Sequence, residues 1–158
     1  SFWILIGNIY MGLKNLKKAE FCLQSALEAE NYTKIKTYKA RLYIALGKLS
    51  MEYKKWEEAK TWLEKAVRIA KADHNQHGSI LANNSMGDCL MRIEQYDHAI
   101  RYYKTAYQLS KMCHLSRKAY HILLRLLKCA QLTDNKEITK YAQNELVNFE
   151  IEQLKEME

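Results

Sequence analysis

Along most of the chain, apolar residues return every three or four positions. Leu16, Ala19, Leu23, Ala26 and Leu27 gather on one face of a helix. Trp56, Ala59, Leu63 and Ala66 repeat that series, as do Tyr96, Ala99, Tyr103 and Ala106. Ahead of each lies another helical stretch, read from Trp3, Ile6, Gly7 and Tyr10, from Tyr43, Leu46 and Gly47, and from Asn83, Met86, Gly87 and Leu90. The links Lys14-Asn15, Lys54-Lys55 and Glu94-Gln95 are long enough only for an antiparallel turn, so each pair of stretches predicts a helical hairpin. Longer polar joints are expected between hairpins at 31–34 and 73–78, with Asn31, Asp73 and Asn75 as helix caps. There is no proline, and no alternating run bounded by turn residues, so no strand is predicted and the fold class is all-α.

The hairpins are copies of one another. A Gly, a Met four residues later and an Ala twelve residues later recur at a spacing of 40: Gly7, Met11, Ala19; Gly47, Met51, Ala59; Gly87, Met91, Ala99. Self-similarity at a fixed period of this length marks a stacked-repeat architecture. A glycine inside a helix costs about 1 kcal/mol relative to alanine, so three in register require a reason. Close helix contact between each glycine and the alanine of its hairpin, Ala19, Ala59 or Ala99, is the reason the sequence suggests.

Trp3, Ile6, Gly7, Tyr10, Ala19, Leu23 and Ala26 together resemble the tetratricopeptide-repeat pattern. Tyr43, Leu46, Gly47, Ala59, Leu63 and Ala66 match it in the second unit, and Met86, Gly87, Leu90, Ala99, Tyr103 and Ala106 in the third. The period of 40 exceeds the family's usual value of about 34, and the closing proline is missing. This long-period form resembles the repeats of bacterial peptide-pheromone receptor regulators and related helix-turn-helix activators. The resemblance implies a right-handed superhelix of about four antiparallel hairpins whose first helices line a concave, non-catalytic binding surface.

One domain is expected over 1–158, with repeats at about 1–31, 32–72 and 73–112 and a degenerate repeat with a cap at 113–158. In the last unit Ala119, Ile122, Leu123, Leu126, Leu127 and Ala130 form one amphipathic helix, with Leu127 at the glycine position. Ile138, Tyr141, Leu146, Phe149 and Leu154 predict a long final helix whose acidic end serves as the cap. Ser1 enters almost directly at the Trp3 position of a helix, from which we expect a piece of a longer protein.

Carried onto this chain, the positions that face the groove in tetratricopeptide proteins fall in four columns: Ile4, Ile44, Asn84, Leu124; Asn8, Lys48, Asp88, Lys128; Met11, Met51, Met91, Gln131; and Gly12, Glu52, Arg92, Leu132. The residues expected to bind a peptide are Asn8, Met11, Ile44, Lys48, Met51, Asn84, Asp88, Met91, Arg92 and Lys128. Flexible methionines suit a partner's apolar side chains, and they suit the packing seam equally well. The amides and Lys48 suit a peptide backbone or carboxylate. The carboxylate clamp of chaperone-binding repeats is not reproduced, since Ile4, Ile44 and Asp88 stand where it needs polar or basic groups.

Charge and candidate chemistry change this picture little. The formal charge is +7, and residues 32–72 alone hold eleven Lys or Arg against four Glu, which points to a basic middle unit. Six Glu stand against Lys140 and Lys155 from Glu137 onward. No nucleophile elbow, phosphate loop or zinc-protease motif is present, so no enzyme, cofactor or metal site is expected. His74 and His77 read as solvated loop residues, and Cys22, Cys89, Cys113 and Cys129 as free thiols, mostly packed. No apolar run approaches membrane-spanning length, nothing resembles a secretion signal, and a cytoplasmic location follows. The aromatics near Arg101–Lys104 read as packing, so the expected partner is a protein or short peptide rather than nucleic acid or membrane. Two alternatives stay open: the sensory domain of a bacterial transcription or phosphatase regulator, and a self-assembly module forming a homodimer through Phe2, Trp3 and Ile4.

Overall fold

The computed structural model describes residues 2–30 and 35–158, and every element in them is an α-helix. In chain order these are α1 (Phe2–Gly12), α2 (Leu16–Glu30), α3 (Lys36–Glu52), α4 (Trp56–Ala72), α5 (Gln76–Arg92), α6 (Tyr96–Met112), α7 (Ser116–Leu132) and α8 (Lys136–Glu156). They stack as antiparallel pairs in the all-α superhelix expected of tetratricopeptide repeats. The cap expected at Asn31 lies outside the described residues.

The underlying rhythm is shorter than the 40-residue period. Helices α3 to α7 are each 17 residues long, and three residues separate each from the next. The longer joint expected at 73–78 is therefore only Asp73, His74 and Asn75; His77 and Gly78 belong to the first turn of α5. His77 is thus a helix residue, not a loop residue. All these turns use one device. The middle residue adopts positive φ at Lys14, Lys54, His74, Glu94, His114 and Asp134. Its N–H and the next N–H turn back onto the helix just ended: Lys54 donates to the Met51 carbonyl at 2.9 Å and Lys55 to the Ser50 carbonyl at 2.8 Å. This pairing satisfies carbonyls that a helix end leaves open. Glycine is the usual residue there, and none of the six positions has it. The residue after it starts the next helix; Asn75 and Asn135 cap with their side chains, accepting from Gly78 at 2.9 Å and Ile138 at 3.1 Å.

Packing explains the glycines, with a different partner from the one expected. A Cβ on Gly7 would stand 2.8 Å from Leu23 Cδ2, one on Gly47 2.6 Å from Leu63 Cγ, and one on Gly87 2.6 Å from Tyr103 Cε1. Each first-helix glycine therefore receives a large side chain of the second helix, while Ala19, Ala59 and Ala99 are fully buried elsewhere in the seam. The larger residue four positions after each alanine reaches across to the glycine, which sequence spacing alone does not distinguish. Cys22, Cys89 and Cys129 are buried free thiols and Cys113 is half-buried.

The apolar stripes close into one core cluster running from α4 to α8 and a second over α1 to α3. In α8, Ile138, Tyr141, Leu146 and Phe149 pack against the first of these. Leu154, expected to join them, is 63% exposed; at 21 residues α8 outruns the 17 residues of α7 on which it lies. Tyr107 and Lys111 fix α8 from α6: both donate hydrogen bonds to Glu145 Oε2, Lys111 at 2.9 Å.

A basic groove on the first helices as candidate binding site

The first helices form the inner layer, because α1 packs directly on α3 and α3 on α5 in addition to their hairpin partners. Four adjoining depressions open on this layer. The largest, of about 780 Å³, has Asn8, Met11, Lys48, Met51, Asp88 and Arg92 on its walls. A second of about 540 Å³ shares Met51, Asp88 and Arg92 and adds Met91 and Lys128. A third of about 560 Å³ holds Asn84, and a small one of about 140 Å³ joins Asn8 and Lys48 over Ile44. All ten residues predicted from the columns thus border this run of depressions. Their roles differ. Ile44 is 5% exposed and belongs to the floor, packed with Ala66 and Ala82. Met11, Met51 and Met91 are half-buried, each with one side in the core clusters. Leu124 borders none of the depressions.

Arg125 takes the place that the column pattern gave to Leu124. Its guanidinium donates to Asn84 Oδ1 at 3.0 Å and lies 3.5 Å from Asp88 Oδ2. Asp88 also accepts from the Tyr103 hydroxyl at 2.6 Å, so it is held from two sides. Burial, then the neighbouring Asp88 carboxylate, pushes the Tyr103 pKa far above its ordinary value. The signal for Arg125 was present: His121, Arg125, Lys128 and Leu132 form an i, i+4, i+7, i+11 stripe on α7. Lys14 and Lys54 were also missed, because they sit in turns.

The electrostatics depart from the sequence expectation. Basic charge is not confined to residues 32–72: the four depressions bring together nine Lys and Arg from α1, α3, α5, α7 and their turns, against only Glu52 and Asp88. Both carboxylates are engaged, Glu52 by Lys14 at 2.9 Å and Asp88 by Arg125. Lys48 keeps solvent access, yet its pKa lies below the ordinary lysine value. The protein packed around its ammonium is the main cause; Asp88 opposes the shift, while Arg125 and Lys118 add to it.

Among the described residues no three His, Cys, Asp or Glu side chains gather in a metal-binding cluster. No described helix is long and apolar enough to cross a membrane. Burial raises the Cys129 thiol to about 11, far from a reactive thiolate at neutral pH. Ile4 is 2% exposed, so it cannot serve the self-association surface suggested with Phe2 and Trp3, both of which are exposed.

Stacked helical hairpins with a lined inner groove define a repeat scaffold of the kind that binds proteins or peptides. The tetratricopeptide-repeat pattern matches residues 38–112 and again residues 1–33. The chain belongs to the tetratricopeptide-repeat family, whose members are in general non-catalytic scaffolds. No curated protein matches the sequence. Among solved structures, it is similar to the apo form of RapI, with a TM-score of 0.83 at 13% identity over 96% of this chain and 56% of that one. Aspartyl phosphate phosphatase F from Bacillus subtilis gives a TM-score of 0.85 at 13% identity, over 96% of this chain and 40% of that one. A signal-transduction ATPase with a tetratricopeptide-repeat sensor from Pyrococcus horikoshii gives 0.76 at 20% identity, over 93% and 23%. At these identities the likeness is one of fold, and this chain spans 56% or less of each of the three.

Proposed function

We propose that this domain is a cytoplasmic, non-catalytic receptor for a short peptide or an extended segment of a partner protein, held along the first-helix groove. The observation that carries this reading is the continuity of the groove: adjoining depressions share Asn8, Lys48, Met51, Asp88 and Arg92, so one ligand can touch three successive hairpins. Its walls supply what an extended chain needs. Asn8 offers a donor and an acceptor to a peptide backbone, while Met11, Met51 and Met91 offer adaptable apolar surface. The groove is built from packed helices, so ordering of the ligand is the main entropic cost of binding.

A narrower reading makes the domain the sensor of a transcription or phosphatase regulator, with a short signalling peptide in the groove. It is supported by the likeness of fold to RapI and to an aspartyl phosphate phosphatase.

The test is calorimetric titration of a short-peptide library into the wild type and into an Asn84→Ala, Met51→Glu double variant. Saturable binding to the wild type, lost in a variant that keeps its helical circular-dichroism spectrum, is the expected outcome. Binding unchanged by the two substitutions would move the site off this face.

A further inference from the structure

The groove described above has more positive charge than its own carboxylates can balance. Arg125 and Lys14 are spoken for by Asp88 and Glu52. Arg41, Lys48, Lys54, Arg92 and Lys128 also border the depressions, and among the described residues none has a carboxylate within 4.0 Å. Elsewhere the chain does pair its charges across helices, as Lys111 does with Glu145 and Lys39 with Glu30. Like charges gathered on one concave face repel one another, and a concave low-dielectric wall focuses their field. The face is built to receive negative charge.

We propose that the occupant of the groove is an extended segment of a partner protein rich in Asp and Glu, with apolar side chains between the acidic ones. This inference rests on the peptide-receptor reading and adds the chemistry of the ligand. The carboxylates meet Lys48, Arg92 and Lys128, where charge-assisted hydrogen bonds are strongest. The apolar side chains settle against Met51 and Met91, which lie beside those cations on α3 and α5. A single nucleic acid strand fits the same charge less well. It needs exposed aromatic rings to stack its bases, whereas of the Tyr and Trp side chains that border the depressions Tyr103 is 1% exposed and Trp56 and Tyr96 are half-buried against the core.

Three fluorescein-labelled pools of short peptides decide the matter by anisotropy, with Asp/Glu, Asn/Gln or Lys/Arg alternating with mixed apolar residues. The acidic pool is expected to saturate the 158-residue chain and to bind roughly tenfold more tightly than the neutral pool. Raising salt to about 0.5 M should weaken it. A Lys48→Gln, Arg92→Gln, Lys128→Gln variant should lose roughly tenfold in affinity, since each exposed charge pair is worth up to about 1 kcal/mol. Lys17→Gln, Arg68→Gln, Arg101→Gln, which removes as much charge from exposed positions of the second helices, should leave binding unchanged. Neutral peptides that bind as well as acidic ones, and are lost on Met51→Glu, would overturn the acidic partner and leave the peptide groove standing. If no pool saturates, both readings fall. A labelled oligothymidine that outcompetes the acidic pool, and is itself lost in the groove variant, would replace the peptide with nucleic acid.

Discussion

Replacing Gly87 with alanine sets two known effects against each other, and the sign of the result tests the packing directly. Gly87 lies in the last third of α5, where alanine would gain about 1 kcal/mol of helix propensity. The new methyl, however, would stand 2.6 Å from Tyr103 Cε1, 2.7 Å from Cδ1 and 2.9 Å from Cζ. Carbon atoms pack at about 3.5–4.0 Å, so the ring must retreat by about 1 Å. Burial and a hydrogen bond oppose that shift. Tyr103 is 1% exposed, and its hydroxyl is tied to Asp88 at 2.6 Å. Overpacking of this kind costs about 1–3 kcal/mol, and a hydrogen bond to a charged group broken by the retreat costs about 1.5–3 kcal/mol more. We expect Gly87→Ala to destabilise the chain by about 1.5–5 kcal/mol net of the propensity gain. Gly12 is the control, because a Cβ there would meet nothing within 4 Å; Gly12→Ala should stabilise by up to about 1 kcal/mol. Urea denaturation followed by circular dichroism reads both. If Gly87→Ala raises the midpoint as Gly12→Ala does, the close approach of α5 and α6 is wrong.

Two further predictions concern the turns and the last helix. Glu94 is exposed and holds φ at 62°; Glu94→Gly should raise the thermal midpoint, because relief of about 1–2 kcal/mol of left-handed strain exceeds the added unfolded-chain entropy of about 0.5–1 kcal/mol. A lowered midpoint would show that the turn tolerates Glu94 without strain. Burial raises the Glu145 pKa, but hydrogen bonds from Tyr107 and Lys111 outweigh it and hold the value below the ordinary 4.5. A depressed carboxylate adds stability that is fully present above its unfolded pKa and is lost as pH falls through the folded one. Stability should therefore fall more steeply below about pH 5 in the wild type than in Glu145→Gln; parallel pH profiles would remove Glu145 from that role.

Much of this architecture could be read before any coordinates, because helical periodicity is set by local geometry. The hairpins and the all-α class follow from which residues share a helical face, whereas the ten groove positions came from the resemblance to tetratricopeptide repeats. What the sequence hid were contacts between faces. Gly87 fits against Tyr103 rather than Ala99 because a ring reaches across a seam that an alanine only lines. Arg125 was missed because the column pattern carried over from tetratricopeptide proteins gave its place to Leu124, although Lys128 and Leu132 on the same helix do border the groove. The basic groove was mistaken for a basic repeat, since linear counting groups charges by position along the chain, and the fold regroups them by helix face. The joint at 73–78 was overlong because Gln76, His77 and Gly78 are polar, yet a polar first turn is an ordinary helix start.

The even spacing of helices and turns has a consequence for how such a chain can change over time. Each residue advances a helix by about 100°, so one residue inserted into α5 ahead of Asn84 would swing Asn84, Asp88 and Arg92 off the groove and bury charge in the seam. The three-residue turns on either side of α5 offer no slack to absorb it, because each both ends one helix and begins the next. Length variation within α5 would therefore cost the groove its register. Whole hairpins of 40 residues can be gained or lost without disturbing the register of the rest, so the groove can lengthen or shorten only in steps of one hairpin.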